Sequence, residues 1–309
     1  MSVPPVLGAT GRPLDQVRLT GLRARGHHGV FEHERRDGQD FVVDVVLHLD
    51  TRPAAAGDDL TRTVHYGELA TAVADAVRGD PVDLVETLAA RIVSLCLRDP
   101  LVHAADVTVH KPDAPITESF EDVAVAVHRH RGELLDAVPT RPVPAVLALG
   151  TNLGDREATL RSAVAALVAI DGVEVAAVSP VVETDPVGGP EQPDYLNAVV
   201  LARTTLSPRG LLAAAHQVED RHGRERIERW GPRTLDVDVV DYDGLVLAAD
   251  DLQLPHPRAA GRAFVLAPWL AADPAATLPD AGRVAELLER AGDREAVRPR
   301  PDLHLGGTP

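Results

Sequence analysis

The chain has 309 residues, 45% of them hydrophobic, which fits two globular domains of about 150 residues each. Its net charge of −16 argues against nucleic acid or an anionic membrane surface as a partner, so anionic ligands need a local basic site. The single cysteine excludes an internal disulfide framework. With no signal peptide and no apolar run of membrane-spanning length in view, these features predict a soluble cytoplasmic protein.

The first half of the chain has the pattern of a small sheet with two helices. Apolar and polar residues alternate with the period of strands, and other apolar residues recur at helical spacing. The predicted elements, in chain order, are strands at about 14–25 and 41–49, helices at about 66–77 and 83–97, and strands at about 105–110 and 122–129. This ββααββ order then stops.

A proline-containing segment separates the two halves. The stretch 132–145 carries three prolines, which is typical of a linker. We therefore predict domains at 14–131 and 145–300, joined by a linker at 132–144. The second half mixes strands near 146–149, 173–178 and 197–203 with helices near 155–168 and after Ser207. Ser207 is a typical N-cap, and a proline follows it at the first helical position.

The segment RWGPRTLDVDVV (229–240) joins two arginines to a pair of aspartates. Leucine and valines alternate with Asp236 and Asp238, so the pattern predicts a strand with both carboxylates on one face, roughly 7 Å apart. Two carboxylates on a rigid strand can bind Mg²⁺, and the arginines would bind phosphoryl oxygens. The alternative is a strand whose solvent-facing side is simply acidic.

This segment is one of four blocks that together resemble a known family. The others are LALGTNLGD (147–155), ETDPVGGPEQPDYLNAVV (183–200) and LPHPRAAGRAFVLAP (254–268). From about residue 144 to 279 the chain resembles 6-hydroxymethyl-7,8-dihydropterin pyrophosphokinases, which transfer a diphosphate from ATP to a pterin alcohol. The resemblance implies a ferredoxin-like α+β domain.

The same resemblance implies roles for individual residues. Two Mg²⁺ ions would bind Asp236 and Asp238 and bridge the phosphates of ATP. Residues implied in ATP binding are Arg224, Arg226, Trp230, Arg233, His256 and Arg262, with Arg224 and Arg233 also acting in catalysis. Residues implied in pterin binding are Thr184, Val187, Tyr195, Asn197 and Phe264. Tyr195 and Phe264 could instead be core aromatics.

Lysine usage singles out one position in the first half. Of the 31 basic residues, 30 are arginine, and Lys111 is the only lysine. A coding bias toward arginine could leave one lysine by accident. However, lysine can exchange a proton near neutral pH and arginine cannot. Lys111 follows a predicted strand, and strand ends tend to display catalytic groups.

Four segments of the first half carry a second resemblance. They are GHHGVFEHE (26–34), TVHYGE (63–68), DLVETLAARI (83–92) and VTVHKPDAPI (107–116). Between about residues 16 and 131 the chain resembles dihydroneopterin aldolases, which implies a tunnelling fold (T-fold) of ββααββ order. Two enzymes of one pathway, folate biosynthesis, would then share the chain, with the aldolase product serving as substrate of the pyrophosphokinase.

The aldolase resemblance implies that Glu86 and the backbone of Val85 bind the amide edge of the pterin, while Glu34, Tyr66 and Lys111 act in binding and retro-aldol cleavage. It also implies a homo-oligomer, tetramer or octamer, in which Tyr66 comes from a neighbouring chain. No cofactor is expected for the aldolase.

Simpler roles stay open at this point. Glu86 could pair with Asp83 in a helix capping box, Tyr66 could be a core or interface aromatic, and Glu34 an ordinary solvated loop acid. The first domain could also be a pterin epimerase or oxygenase, or a catalytically silent scaffold for oligomerisation.

Overall fold

The computed structural model describes residues 5–8, 11–186, 192–223 and 234–305. The chain divides into two compact units, unit 1 (Met1–Leu134) and unit 2 (Leu135–Pro309). The domain limits inferred from the sequence stay predictions. None of the helices formed by the described residues has both the length and the apolar character needed to cross a membrane.

Unit 1 is a four-stranded antiparallel sheet with helices on one face. Its described strands and longer helices are β1 (Asp15–Gly26), α1 (Glu32–Asp37), β2 (Gln39–Leu49), α2 (Arg52–Gly57), α3 (Tyr66–Arg78), α4 (Val85–Leu97), β3 (Ala104–His110) and β4 (Ala124–His130). The strands lie in the order β1-β2-β3-β4. The predicted α+β class and ββααββ order are confirmed; α1 and α2, of six residues each, are additional.

Alternation along β2 and β3 divides the sheet into two faces. Phe41, Val43 and Val45 are buried on the face that packs against the helices, together with Val107 and Val109 of β3. The residues between them point to the opposite face, which we call the open face. Because the fully buried apolar side chains of β2 and β3 recur on the helix-covered face, a shift of register by one residue would move them out of the core.

Unit 2 is built on a second, larger sheet. Its described strands and longer helices are β5 (Val143–Thr151), α5 (Arg156–Val168), β6 (Val173–Val178), β7 (Val182–Thr184), β8 (Tyr195–Thr204), α6 (Pro208–Arg221), β9 (Asp236–Tyr242), β10 (Leu247–Ala248), β11 (Gln253–Leu254), α7 (Ala263–Ala272), β12 (Thr277–Leu278), β13 (Gly282–Arg283), α8 (Val284–Arg290) and β14 (Arg298–Pro299).

The central strands have the ferredoxin-like arrangement. β9, β5, β8 and β6 are neighbours in that order, so the strand that begins the unit lies inside the sheet and pairs antiparallel with both β8 and β9. β7 pairs with the remaining part of β8, and β14 pairs with β7. The ferredoxin-like prediction for this half is therefore confirmed.

One face of this sheet is apolar, and the other changes from apolar to polar along the strands. One face carries buried Leu147 and Leu149 of β5 toward α5 and α6. On the other face, Val146, Val199 and Val240 form an apolar cluster with α7. This cluster covers only one end of the second face. At the other end the same three strands carry polar residues, which positions a site there.

The start of α6 yields a test of the fold. Ser207 is its N-cap, as predicted, and its Oγ accepts a hydrogen bond from the N–H of Gly210 at 3.1 Å. We expect Ser207→Ala to lower the free energy of unfolding of unit 2 by about 1 kcal/mol and Ser207→Asp, which can also cap, to retain it. Urea denaturation followed by tryptophan fluorescence measures this, because both tryptophans, 230 and 269, belong to unit 2. Equal midpoints for wild type and Ser207→Ala would contradict the assigned cap.

Candidate active sites

The only lysine of the chain lies in a buried ion pair. Lys111 directly follows β3, and its Nζ lies 2.5 Å from Oε1 of Glu34 on α1. Lys111 is 8% exposed and Glu34 is 3% exposed. The alternative that Glu34 is a solvated loop acid is therefore wrong. The structure brings together two predicted catalytic residues that are 77 positions apart in sequence.

The Glu34 carboxylate is held on all sides. Gln39 Nε2 donates to Oε1 at 3.0 Å, and the N–H of Phe31 donates to Oε2 at 3.0 Å. Burial raises the pKa of Glu34, but these donors together with Lys111 outweigh burial and leave that pKa below its ordinary value. A Cβ at Gly29 would lie within 2.2 Å of Oε2, so only glycine fits beside the carboxylate. Glu34 is thus kept ionised and fixed in direction.

Glu86 lies in the first turn of α4, adjacent to Val85, and is exposed. Asp83 does not form a capping box with it; the Asp83 carboxylate bonds instead to the guanidinium of Arg35, and the N-cap is Leu84. The capping-box alternative is therefore wrong. Among the described residues, the Glu86 carboxylate has no hydrogen bond or ion pair, so it is open to a ligand.

Tyr66 is the first residue of α3 and is 67% exposed. Its hydroxyl forms no hydrogen bond to Glu34 or Lys111 within the described residues of this chain. A core role for Tyr66 is therefore wrong, while an interface role stays open.

In unit 2, a row of residues crosses three strands at the polar end of the sheet. Asn197 of β8 pairs with Gly150 of β5, which pairs with Asp236 of β9. A Cβ at Gly150 would lie 3.2 Å from Oδ1 of Asn197, so glycine keeps the space between these side chains open. Asn197 is buried, and its Nδ2 donates to Oγ1 of Thr184 at 3.0 Å. An implied pterin residue thus shares one sheet face with an implied metal ligand.

A basic group lies beside the second aspartate. Asp238 Oδ2 lies 3.8 Å from Nε2 of His256 and 3.9 Å from Nη1 of Arg262. The guanidinium of Arg262 also lies 5.3 Å from the ring centroid of Phe264. Burial lowers the pKa of His256, Arg262 lowers it further, and Asp238 opposes both. Four residues implied in ATP, metal and pterin binding are thus adjacent.

The remaining implied residues of unit 2 fall into two groups. Tyr195 is half-buried, and its hydroxyl donates to Oε1 of Gln192 at 3.0 Å, where the amide of Asn152 also donates. Five implied residues lie outside the described residues: Val187, Arg224, Arg226, Trp230 and Arg233.

Sequence patterns missed several supporting residues. Gln39 and Gly29 hold Glu34, and buried Glu219 of α6 accepts the N–H of Val237 at 2.8 Å, between the two aspartates. Asn152 is buried and bonds to the same Gln192 oxygen as Tyr195. Gly29 and Gly150 could have been singled out from the sequence, since each lies in one of the quoted motifs. Gln39 and Glu219 had none, because each supports a residue distant in sequence.

Comparisons with known proteins agree with this geometry. Residues 17–128 match the family described as dihydroneopterin aldolase, and residues 146–274 match 7,8-dihydro-6-hydroxymethylpterin-pyrophosphokinase. Dihydroneopterin aldolase of Streptomyces coelicolor is 61% identical over 118 residues, 38% of this chain and 99% of that protein.

Two further relatives match about half of the chain and most of the chain, respectively. The 2-amino-4-hydroxy-6-hydroxymethyldihydropteridine pyrophosphokinase of Mycobacterium tuberculosis is 46% identical over 177 residues, 52% of this chain and 92% of that protein. Folic acid synthesis protein fol1 of Schizosaccharomyces pombe is 32% identical over 273 residues, 86% of this chain and 35% of that protein.

Fold, sites and relatives define a chain of two pterin enzymes, a lyase followed by a diphosphate-transferring kinase. The chain belongs to the dihydroneopterin aldolase family through unit 1 and to the hydroxymethyldihydropterin pyrophosphokinase family through unit 2. It is a bifunctional enzyme of folate biosynthesis. The first domain is therefore an aldolase, and not the silent scaffold, epimerase or oxygenase that the sequence left as alternatives.

Proposed function

We propose that Lys111, Glu34 and Tyr66 carry out the proton transfers of the aldolase reaction. The observation that most supports this proposal is the buried contact between Lys111 and Glu34. All other basic residues of the chain are arginines, and lysine, unlike arginine, can exchange a proton near neutral pH. Glu34 is ionised and fixed, so it orients the ammonium group of Lys111 toward the substrate. A general acid–base group needs such fixed positioning before its pKa matters.

Pterin recognition falls to the start of α4. The exposed carboxylate of Glu86 would accept two parallel N–H bonds from the amide and amino edge of the pterin, a strong charge-assisted pair. The backbone N–H of Val85 lies in the first helical turn, where N–H groups have no intrahelical partner and can bind a ligand oxygen.

The reaction that follows is a retro-aldol cleavage of 7,8-dihydroneopterin. A base removes the proton of the side-chain hydroxyl, the adjacent C–C bond breaks, and glycolaldehyde leaves. The released electron pair passes into the C=N bond of the ring, so no Schiff base is needed. Protonation of the side-chain carbon that remains attached to the ring then gives 6-hydroxymethyl-7,8-dihydropterin. Lys111 and Tyr66 are the groups that exchange these protons.

The role of Lys111 is tested by Lys111→Arg, which keeps the positive charge but cannot exchange a proton near neutral pH. General acid–base catalysis contributes about 10²–10⁴-fold, so we expect aldol cleavage to fall by at least about 100-fold. Glycolaldehyde release measures the reaction. Circular dichroism and pterin binding should match wild type, and diphosphate transfer to supplied hydroxymethyldihydropterin is the internal control. Cleavage at the wild-type rate would refute the role.

We further propose that unit 1 acts as a homo-oligomer, a tetramer or octamer, in which Tyr66 serves a pterin bound by Glu86 and Lys111 of a neighbouring chain. The exposure of Tyr66 supports this, as does a set of large apolar side chains that are 50–67% exposed on unit 1: Val30, Phe31, Leu60, Tyr66 and Leu84. Exposed apolar side chains mark an interface where they form a contiguous patch. The edges of the small sheet would also need a partner.

Subunit mixing tests this arrangement. Tyr66→Phe and Lys111→Ala should each be inactive alone, whereas co-refolded mixtures should regain part of the activity because some sites receive both intact residues. Glycolaldehyde release measures recovery, and each variant refolded alone is the control. Light scattering must show mixed oligomers. No recovery in such oligomers, or full activity of a monomer, would rule the arrangement out.

For unit 2 we propose that Asp236 and Asp238 bind two Mg²⁺ ions in complex with ATP, the co-substrate of this family. The fit rests on donor chemistry: both carboxylates lie on one face of β9, are half-buried, and offer the oxygen ligands that Mg²⁺ prefers. Bound there, the ions would neutralise phosphate charge and align the displacement. Arg262 and His256, both beside Asp238, would contact the nucleotide.

The pterin alcohol would bind across the same row. Asn197, fixed by Thr184, can both donate to and accept from the amide edge of the ring. Tyr195 and Phe264 would stack on its faces. The family resemblance alone adds five further residues to this proposal: Val187, Arg224, Arg226, Trp230 and Arg233. Of these, Arg224 and Arg233 would stabilise the transferred diphosphate. The cytoplasmic location stays a prediction.

The metal site is tested by Asp236→Asn and Asp238→Asn. Each removes one carboxylate charge, weakens Mg²⁺ binding and misplaces the β-phosphate. Metal ions supply several kcal/mol of stabilisation to such transition states, so we expect transfer to fall by at least about 100-fold. An equilibrium titration should show weaker Mg²⁺-dependent ATP binding, while aldol cleavage in the same samples stays unchanged. Normal transfer in the double variant would leave β9 as an acidic surface only.

A further inference from the structure

The open face of the unit 1 sheet carries a group of residues that neither reaction uses. We call His48, Asp106, His128 and His130 the histidine cluster. It joins three neighbouring strands: His48 is on β2, Asp106 on β3, and the other two on β4. Asp106 pairs directly with His128 across β3 and β4, and Ala104 pairs with His130. Because His128 and His130 are two positions apart on one strand, their side chains share one face.

Asp106 links two of the imidazoles. Its Oδ2 lies 2.6 Å from Nε2 of His48, and its Oδ1 lies 2.7 Å from Nδ1 of His128. A carboxylate only accepts hydrogen bonds, so the proton of neutral His128 is on Nδ1 and its Nε2 carries the lone pair. One ring nitrogen of His128 is thus prepared as a metal ligand.

That nitrogen faces a second one. Nε2 of His128 lies 3.4 Å from Nε2 of His130. Two imidazole nitrogens that bind one Zn²⁺ at about 2.0–2.1 Å with a tetrahedral angle are about 3.4 Å apart, so little rearrangement is needed. A carboxylate on the other ring nitrogen of a ligating histidine is the usual support of such sites. His48, Asp106 and His128 also offer ligand atoms that all lie within 4.8 Å of one another.

We propose that the histidine cluster is a binding site for a transition-metal dication of the Zn²⁺ class, with His128 and His130 as ligands and Asp106 as the residue that orients His128. Imidazole nitrogens favour Zn²⁺ and its neighbours, whereas Mg²⁺ favours oxygen ligands. The site is therefore chemically distinct from Asp236 and Asp238. Both ligands are exposed, so solvent can complete the coordination shell.

Another histidine of the open face is a matched control. His110 of β3 has one ring nitrogen 2.5 Å from Asp122 and the other 3.4 Å from Asp44. Both of its nitrogens are thus occupied by carboxylates, and the hydrogen bond that His110 donates to Asp122 is the main reason that the pKa of His110 is raised. It resembles the cluster in composition but offers no second imidazole.

The test is calorimetric titration of the untagged full chain with Zn²⁺, in the Asp236→Asn, Asp238→Asn background and with excess Mg²⁺. We expect one site per chain. The double variant His128→Ala, His130→Ala should lose it, and Asp106→Asn should weaken it by about tenfold or more. His110→Asn should bind as its parent does. Co²⁺ absorption gives a second readout, because imidazole ligation changes its visible spectrum.

Circular dichroism and aldol cleavage check that each variant is folded, which is expected because His128 and His130 are exposed on an edge strand. Unchanged Zn²⁺ stoichiometry and affinity in the folded double variant would overturn the proposal. So would equal losses in His110→Asn and the double variant, since binding would then be a general property of surface histidines.

Discussion

The buried ion pair between Lys111 and Glu34 is the constraint on which unit 1 depends. Removing two charges from water costs several kcal/mol per ion, and their attraction offsets this only when geometry is good and other hydrogen bonds are satisfied. Gln39 and the N–H of Phe31 satisfy the remaining oxygens of Glu34, and Gly29 leaves room for them. The short helix α1 and the end of β3 are therefore fixed to each other by the same pair that we propose for catalysis.

In unit 2 the sheet itself positions the polar side chains of the site. Val146, Val199 and Val240 bury one end of a face under α7, and the same strands present Gly150, Asn197 and Asp236–Asp238 at the other end. The apolar end packs against α7, and at the polar end the hydrogen bond from Asn197 to Thr184 adds local support. Glu219 adds one bond, to the backbone between the aspartates, because a strand at this position would otherwise leave an N–H unpaired.

Local patterns could be predicted from the sequence, and long-range support could not. Alternation identified β2 and β9, and the Ser-Pro pair identified the start of α6, because each depends on neighbours in sequence. The helix α1 was missed because six residues are too few to show a helical period. Asp83 looked like the partner of Glu86, yet it bonds to Arg35, 48 positions away. The sequence patterns did not indicate the histidine cluster either, because its members lie on three strands that are far apart in sequence.

The use of arginine at most basic positions and of lysine at position 111 follows from the different contacts that the two cations make. In unit 2, Arg298 bonds to Asp185 and Asp194 at 2.8 Å each, and Arg156 and Arg300 both bond to Glu183. A planar guanidinium with several donors suits such bridging between segments. Beside Glu34 the space is closed by Gly29 and Gln39, and a compact ammonium that makes one short contact fits there. Structural bridging therefore tolerates an arginine-rich composition, whereas the closed space beside Glu34 fits the compact ammonium group of lysine.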